Sequence, residues 1–170
     1  MKRITARKSI LGLLAVVALV LFGVMAVTAS AVTRHHPSAS ACSITSVAGG
    51  WGHNLDGWVN QGALTPIAAA GRITVASNGT VSGTETSTPL FGGGRSVVYS
   101  TTGTLSVNTD CTGTLTLSLT DQSNTLVATE VWAVVLVNKA TALRGTLATL
   151  NNSYNVNVPN ASATLNADKL

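Results

Sequence analysis

Charge is scarce in this chain. Asp, Glu, Lys and Arg make up 9% of its 170 residues, and the basic excess is confined to one end. Lys2, Arg3, Arg7 and Lys8 open the sequence. Beyond Ala31 the basic residues are Arg34, Arg72, Arg95, Lys139, Arg144 and Lys169, matched one for one by Asp56, Glu85, Asp110, Asp121, Glu130 and Asp168. A neutral body offers nucleic acid no electrostatic footprint, which excludes that class of partner. Cysteine is limited to Cys42 and Cys111, with no C-x-x-C spacing to suggest a redox or metal-binding thiol pair. Helical periodicity with caps is missing beyond the N-terminal leader. Also missing are G-x-S-x-G, H-E-x-x-H and a phosphate-cradling glycine loop that opens a helix. The Gly92-Gly93-Gly94 run has neither the lysine nor the helix and reads as a turn. These absences leave no call for a cofactor or a metal.

What is present begins with a leader. A basic segment, residues 2–8, precedes an uncharged apolar run over residues 10–27, and Ala29-Ser30-Ala31 follows with the small side chains a signal peptidase needs. The pattern predicts a signal-peptide helix over residues 1–31, export with cleavage after Ala31, and a polar linker over residues 32–41. The apolar run approaches the length of a membrane span, so an uncleaved anchor is the alternative and the one route to a membrane. Ala39-Ser40-Ala41-Cys42 lacks the leucine of a lipoprotein box and lies far from the apolar run, which makes lipidation of Cys42 the minor alternative. His35 and His36 are metal-ligand types, but two histidines in a linker are ordinarily bystanders. Export would place Cys42 and Cys111 in an oxidising compartment, where such a pair predicts a disulfide. It would close a loop of roughly seventy residues, valued at about 4 kcal/mol in the chain-entropy model.

The remainder alternates. In residues 103–121, GTLSVNTDCTGTLTLSLTD, Leu105 and Val107 alternate with Thr104 and Ser106. Leu115, Leu117 and Leu119 then alternate with Thr114, Thr116, Ser118 and Thr120. Successive strand side chains point to opposite faces, so this is a hairpin with a leucine face on a core and a threonine face toward water. Asp110 is placed to cap its turn. Further strands are expected over residues 51–59, 67–76, 80–87, 125–137 and 141–150, with a last polar strand within residues 154–165, and residues 95–101 lead into the first strand of the hairpin. Residues 61–66 read as a loop. Asn78-Gly79 between two alternating runs is a strong hairpin signal. About eight short strands joined by tight turns predict an all-β fold, a small closed antiparallel up-and-down β-barrel over residues 42–170, which also removes exposed sheet edges.

Several stretches carry a resemblance: Cys42-Ser43, W-G-H-N-L-D-G from Trp51, G-R-I-T-V from Gly71, N-G-T-V-S-G-T from Asn78, and above all the G-T-L-S-V-N-T-D-C-T-G-T run from Gly103. Over roughly residues 42–150 the chain resembles small exported bacterial proteins of the allene oxide cyclase barrel-like group. The resemblance implies a small closed antiparallel barrel and a pair of cysteines at these positions. Characterised members of the wider group hold apolar molecules inside the barrel, and some cyclise them. The chain departs from the pattern at His53, where an aromatic residue is usual, and in its longer tail after Leu150. Fold does not imply function, and the cyclase activity does not transfer with it.

The polar inventory is thin. Glu130 sits mid-strand on one face with Leu126, Ala128, Trp132, Val134 and Leu136, while Val127, Val131, Val135 and Val137 share the other. If the first face points inward, Glu130 is a buried carboxyl with a raised pKa; if the second does, Glu130 is solvated. Both faces are apolar, and periodicity does not choose between them. His53 shares a face with Trp51 and Leu55, either as a polar group in an apolar cavity or, more blandly, bonded to backbone at the barrel mouth. Arg144 reads as solvent-facing. Three functions fit. The first is a non-catalytic carrier whose small apolar ligand would meet Trp51, His53, Leu55, Val75, Leu117, Glu130, Trp132 and Leu136. The second is a structural or adhesive surface domain with a filled interior. The third is a cyclase or isomerase with His53 and Glu130 as its acid–base pair.

Overall fold

The structure, a computed structural model, describes residues 42–60, 63–88, 96–152 and 157–170. The leader, the histidine pair of the linker, the Gly92-Gly93-Gly94 run and Arg95 lie outside the described residues.

Eight antiparallel strands close on themselves: β1 (Gly49–Asn60), β2 (Leu64–Val75), β3 (Thr80–Ser87), β4 (Val97–Val107), β5 (Thr112–Thr120), β6 (Leu126–Val137), β7 (Ala142–Asn152) and β8 (Ser162–Lys169). Each strand pairs with its sequence neighbour, and β1 pairs with β8 from Trp51↔Lys169 to Trp58↔Ser162. Alternation decides the faces. Trp51, His53, Leu55 and Val59 of β1, and Leu115, Leu117 and Leu119 of β5, are buried. The interleaved residues face out, Trp58 being 52% exposed.

On β6 the inward face is Ala128, Glu130, Trp132, Val134 and Leu136, all buried, which settles the ambiguity that periodicity left open. The valines of the opposite face are outward, where β-branched side chains suit a pleated surface regardless of burial. Register shifts interrupt the β5–β6 and β6–β7 ladders, between Leu119 and Thr120 and between Val131 and Trp132. Such irregularities bend a strand and help a sheet close.

Two segments differ from expectation. Residues 64–66 were expected in a loop and belong to β2. Pro66 is tolerated there because it pairs with β1 alone among the described residues; the β2–β3 ladder starts at Ala69↔Ser87. The last strand was expected within residues 154–165 and runs over Ser162–Lys169. Asn160 takes a positive φ of 58° just before it, and the buried positions that follow, Ala163, Leu165 and Ala167, are mostly too small to stand out as a core face. The tail is thus the strand that closes the barrel.

One end of the barrel is covered by a single-turn helix, α1 (Ile44–Val47). Ile44 packs against the β2–β3 turn at Gly79. That turn follows from its sequence: Gly79 takes φ 88°, open to glycine, and Asn78 Oδ1 accepts from Thr80 N at 3.0 Å. Cys42 and Cys111 form a disulfide, with Cα atoms 5.0 Å apart, which ties the segment before α1 to the β4–β5 turn. In that turn Asp110 Oδ1 accepts from Thr112 N at 3.0 Å, as a turn aspartate should. Val47 is fully buried, its carbonyl accepts from Trp51 Nε1 at 2.8 Å, and Lys169 Nζ donates to Ser46 O at 3.1 Å.

Candidate functional site

The interior is not uniformly apolar. His53, Glu85 and Glu130 are buried with exposures of 7%, 2% and 2%, together with Tyr99, Thr101 and Ser87. The first of these are brought together by register. His53 on β1 pairs with Gly71 on β2, Gly71 with Glu85 on β3, and Glu85 with Tyr99 on β4. Gly71 is what lets the imidazole lie across β2 to reach Glu85: a Cβ there would stand 2.7 Å from His53 Cε1. His53 Nε2 lies 3.3 Å from Glu85 Oε2. A carboxylate only accepts, so Nε2 is the protonated nitrogen. His53 Nδ1 is buried and finds no hydrogen-bond partner among the described residues, and neither does Thr101 Oγ1.

Glu130 enters from β6 and is held by its strand neighbour, Trp132 Nε1 donating to Oε2 at 3.0 Å. Burial drives the Glu130 carboxyl up to about 8, and the charge of Glu85 pushes the same way; the Trp132 hydrogen bond opposes them. Burial likewise raises the Tyr99 phenol, helped by Glu85 and then Asp121. Glu85 is therefore the hub of the cluster, facing His53, Tyr99 and Glu130.

Of this cluster His53 alone lines a cavity of about 10 Å³, toward the end that α1 covers. Trp51, His53, Val75 and Leu117 line it, with Ile73, Leu105, Leu115, Leu143, Leu165 and Ala167. Of the remaining residues expected to meet a ligand, Leu55, Glu130, Trp132 and Leu136 are buried inside the barrel but do not line this cavity. The expected bland role for His53, bonded to backbone at the mouth, is not what is seen: its partner is a buried carboxylate. Arg144 is half-buried on the outer face, where it bridges β7 to β8 through Leu143 O at 2.9 Å, Ala167 O at 3.0 Å and Asp168 Oδ1 at 3.2 Å. Among the described residues no group of three or more His, Cys, Asp or Glu is placed to hold a metal ion.

Glu85 was missed by sequence reasoning. It lies in T-V-S-G-T-E-T-S, where the inward positions are Val81, Gly83, Glu85 and Ser87. One aliphatic side chain is too little to reveal an inward face. The available signal was parity with Val81, combined with the parity of His53 across the intervening strand.

No protein-family model matches the chain, and no curated protein matches it. Among solved structures it is similar to a redesigned β-barrel, at 12% identity and a TM-score of 0.46, over 78% of this chain and 99% of that one.

Proposed function

We propose that this chain is an exported β-barrel that binds one small, largely apolar molecule in its interior without transforming it. The observation that carries this reading is that buried His53 lines an apolar cavity while Glu85 and Glu130 are buried in the same barrel interior. A core that only held a sheet together would gain nothing from three ionisable groups, because burying them costs several kcal/mol each before pairing offsets it. A largely apolar pocket with a polar side chain in its wall is the default form of a small-molecule site. The leader pattern supports export, and a disulfide suits an oxidising compartment. The resemblance to the allene oxide cyclase barrel-like group points the same way. Catalysis ranks lower, since the acid–base pair expected for it is split: His53 lines the cavity and Glu130 does not.

The size of the cavity favours a second reading, a structural surface domain with a side-chain-filled barrel. About 10 Å³ holds no more than one water-sized body. Native mass spectrometry of residues 32–170, purified from the producing host without refolding, separates the two. An added mass that leaves on denaturation is expected for the binding barrel. A bare polypeptide mass, with no uptake of added apolar compounds, would favour the structural domain.

A further inference from the structure

We infer that the interior ionisable groups make the barrel wall at β6 a pH-sensitive latch, shut while Glu130 is a neutral acid and loosened between β6 and β7 when Glu130 ionises. The latch is independent of the binding function proposed above. Its basis is a count of charges. His53, Glu85 and Glu130 reach the interior from β1, β3 and β6. β4 adds Tyr99, a phenol that burial and Glu85 hold in its neutral form, with Asp121 of the β5–β6 turn pushing the same way. The buried side chains of β2, β5, β7 and β8 are all aliphatic, and none of the described Lys and Arg residues is buried. Two carboxyls thus share one imidazole, which can neutralise one of them at most, and His53 is bonded to Glu85 at 3.3 Å. Among the described residues Glu130 is left with a single N–H, that of Trp132 at 3.0 Å. One hydrogen bond does not replace the water that a buried carboxylate gives up, so Glu130 keeps its proton while the barrel is closed.

The wall beside Glu130 is discontinuous. Val131 pairs with Thr149 and Trp132 with Leu147, so the β6–β7 register passes over Ala148. β8 pairs with β7 from Ala142 to Thr146 and no further among the described residues. Beyond that, the other side of β7 is held by Val158 N, which donates to Leu150 O at 2.7 Å, and by the bridge Asn151↔Asn157. Leu150 is the β7 partner of Glu130. An ionised Glu130 therefore lies against a stretch of wall with few backbone bonds to break, and local opening starts where such bonds are few. Opening there gives the carboxylate water and ends its repulsion with Glu85. The closed barrel holds the Glu130 proton up to about pH 8, whereas a solvated Glu130 releases it near its ordinary value of 4.5. Rising pH favours the open wall between those values, by about tenfold per unit, and no further above them.

The test is amide hydrogen exchange of the disulfide-intact protein, read by NMR across that pH range and corrected for intrinsic rates, in the parent and in Glu130→Gln. In the parent, protection of residues 147–150 and their β6 partners is expected to lie below that of the β3–β4 ladder and to fall about tenfold per pH unit up to about pH 8. The variant, which cannot ionise there, should lose that fall. If the variant does not fold, the parent decides alone: the indole N–H resonance of Trp132 must titrate in step with the loss of protection. Equal protection of the β6–β7 and β3–β4 ladders would show that only the whole barrel opens and would overturn the latch. The same pH slope in Glu130→Gln, or a Trp132 resonance that does not titrate, would overturn it as well.

Discussion

Glu130 shows what a single residue contributes and what it costs. Its carboxyl titrates at about 8 in the folded chain against an ordinary value of 4.5. Between those values the folded state keeps a proton that the unfolded state has released. Stability therefore falls as pH rises through that window, by about 1.4 kcal/mol per pH unit. Glu130→Gln keeps an oxygen for Trp132 Nε1 and removes the titration. Denaturant unfolding should find the variant close to the parent near pH 4.5, increasingly more stable up to about pH 8, and level beyond. An identical pH slope in the two proteins would show that Glu130 does not hold its proton inside the barrel. That Glu130 was worth attention was legible in the sequence, because a carboxylate in an apolar strand is conspicuous. Its orientation was not, because outward Val131 and Val135 are as apolar as inward Val134 and Leu136. Glu85 gave even less signal, its strand having one aliphatic inward side chain.

At the scale of elements, hairpins were the most readable part. Asn78-Gly79 and the segment Asn108 to Thr112 act locally, through a positive φ and through side chains that bond their own turn. Local chemistry survives in a sequence; contacts between distant segments do not. The coverage of one barrel end by α1 therefore left no trace, since Ser43 to Val47 is too short to show a period and its partners lie at Trp51, Gly79, Cys111 and Lys169. Replacing both cysteines by serine should lower unfolding stability by about 4 kcal/mol for a sequence separation of 69, if the chain-entropy account holds. Denaturant unfolding of the parent and the double variant would measure this, and an unchanged midpoint would contradict it.

For the whole molecule the decisive feature is closure. Eight strands in sequence order leave no free edge, and β8 completes the closure by pairing with β1 and β7. Ending the chain at Asn160 would remove Ser162–Lys169 and expose the unpaired backbone of β1 and β7, whose edges would then recruit other chains. Size-exclusion chromatography of that truncation should show aggregates; a stable monomer would mean that the tail is dispensable to the fold. The closed barrel followed from the count of strands and their tight turns, although the position of β8 did not, because Ala163 and Ala167 are weak markers of a core face. What no count of strands could supply is the content of the interior, where His53 meets Glu85 across Gly71. The most direct measurement is an experimental high-resolution structure of the protein as purified from its host. The binding function predicts density for a molecule larger than water among Trp51, Leu115 and Leu117. An interior filled by side chains, with room for no more than a single water, would contradict it.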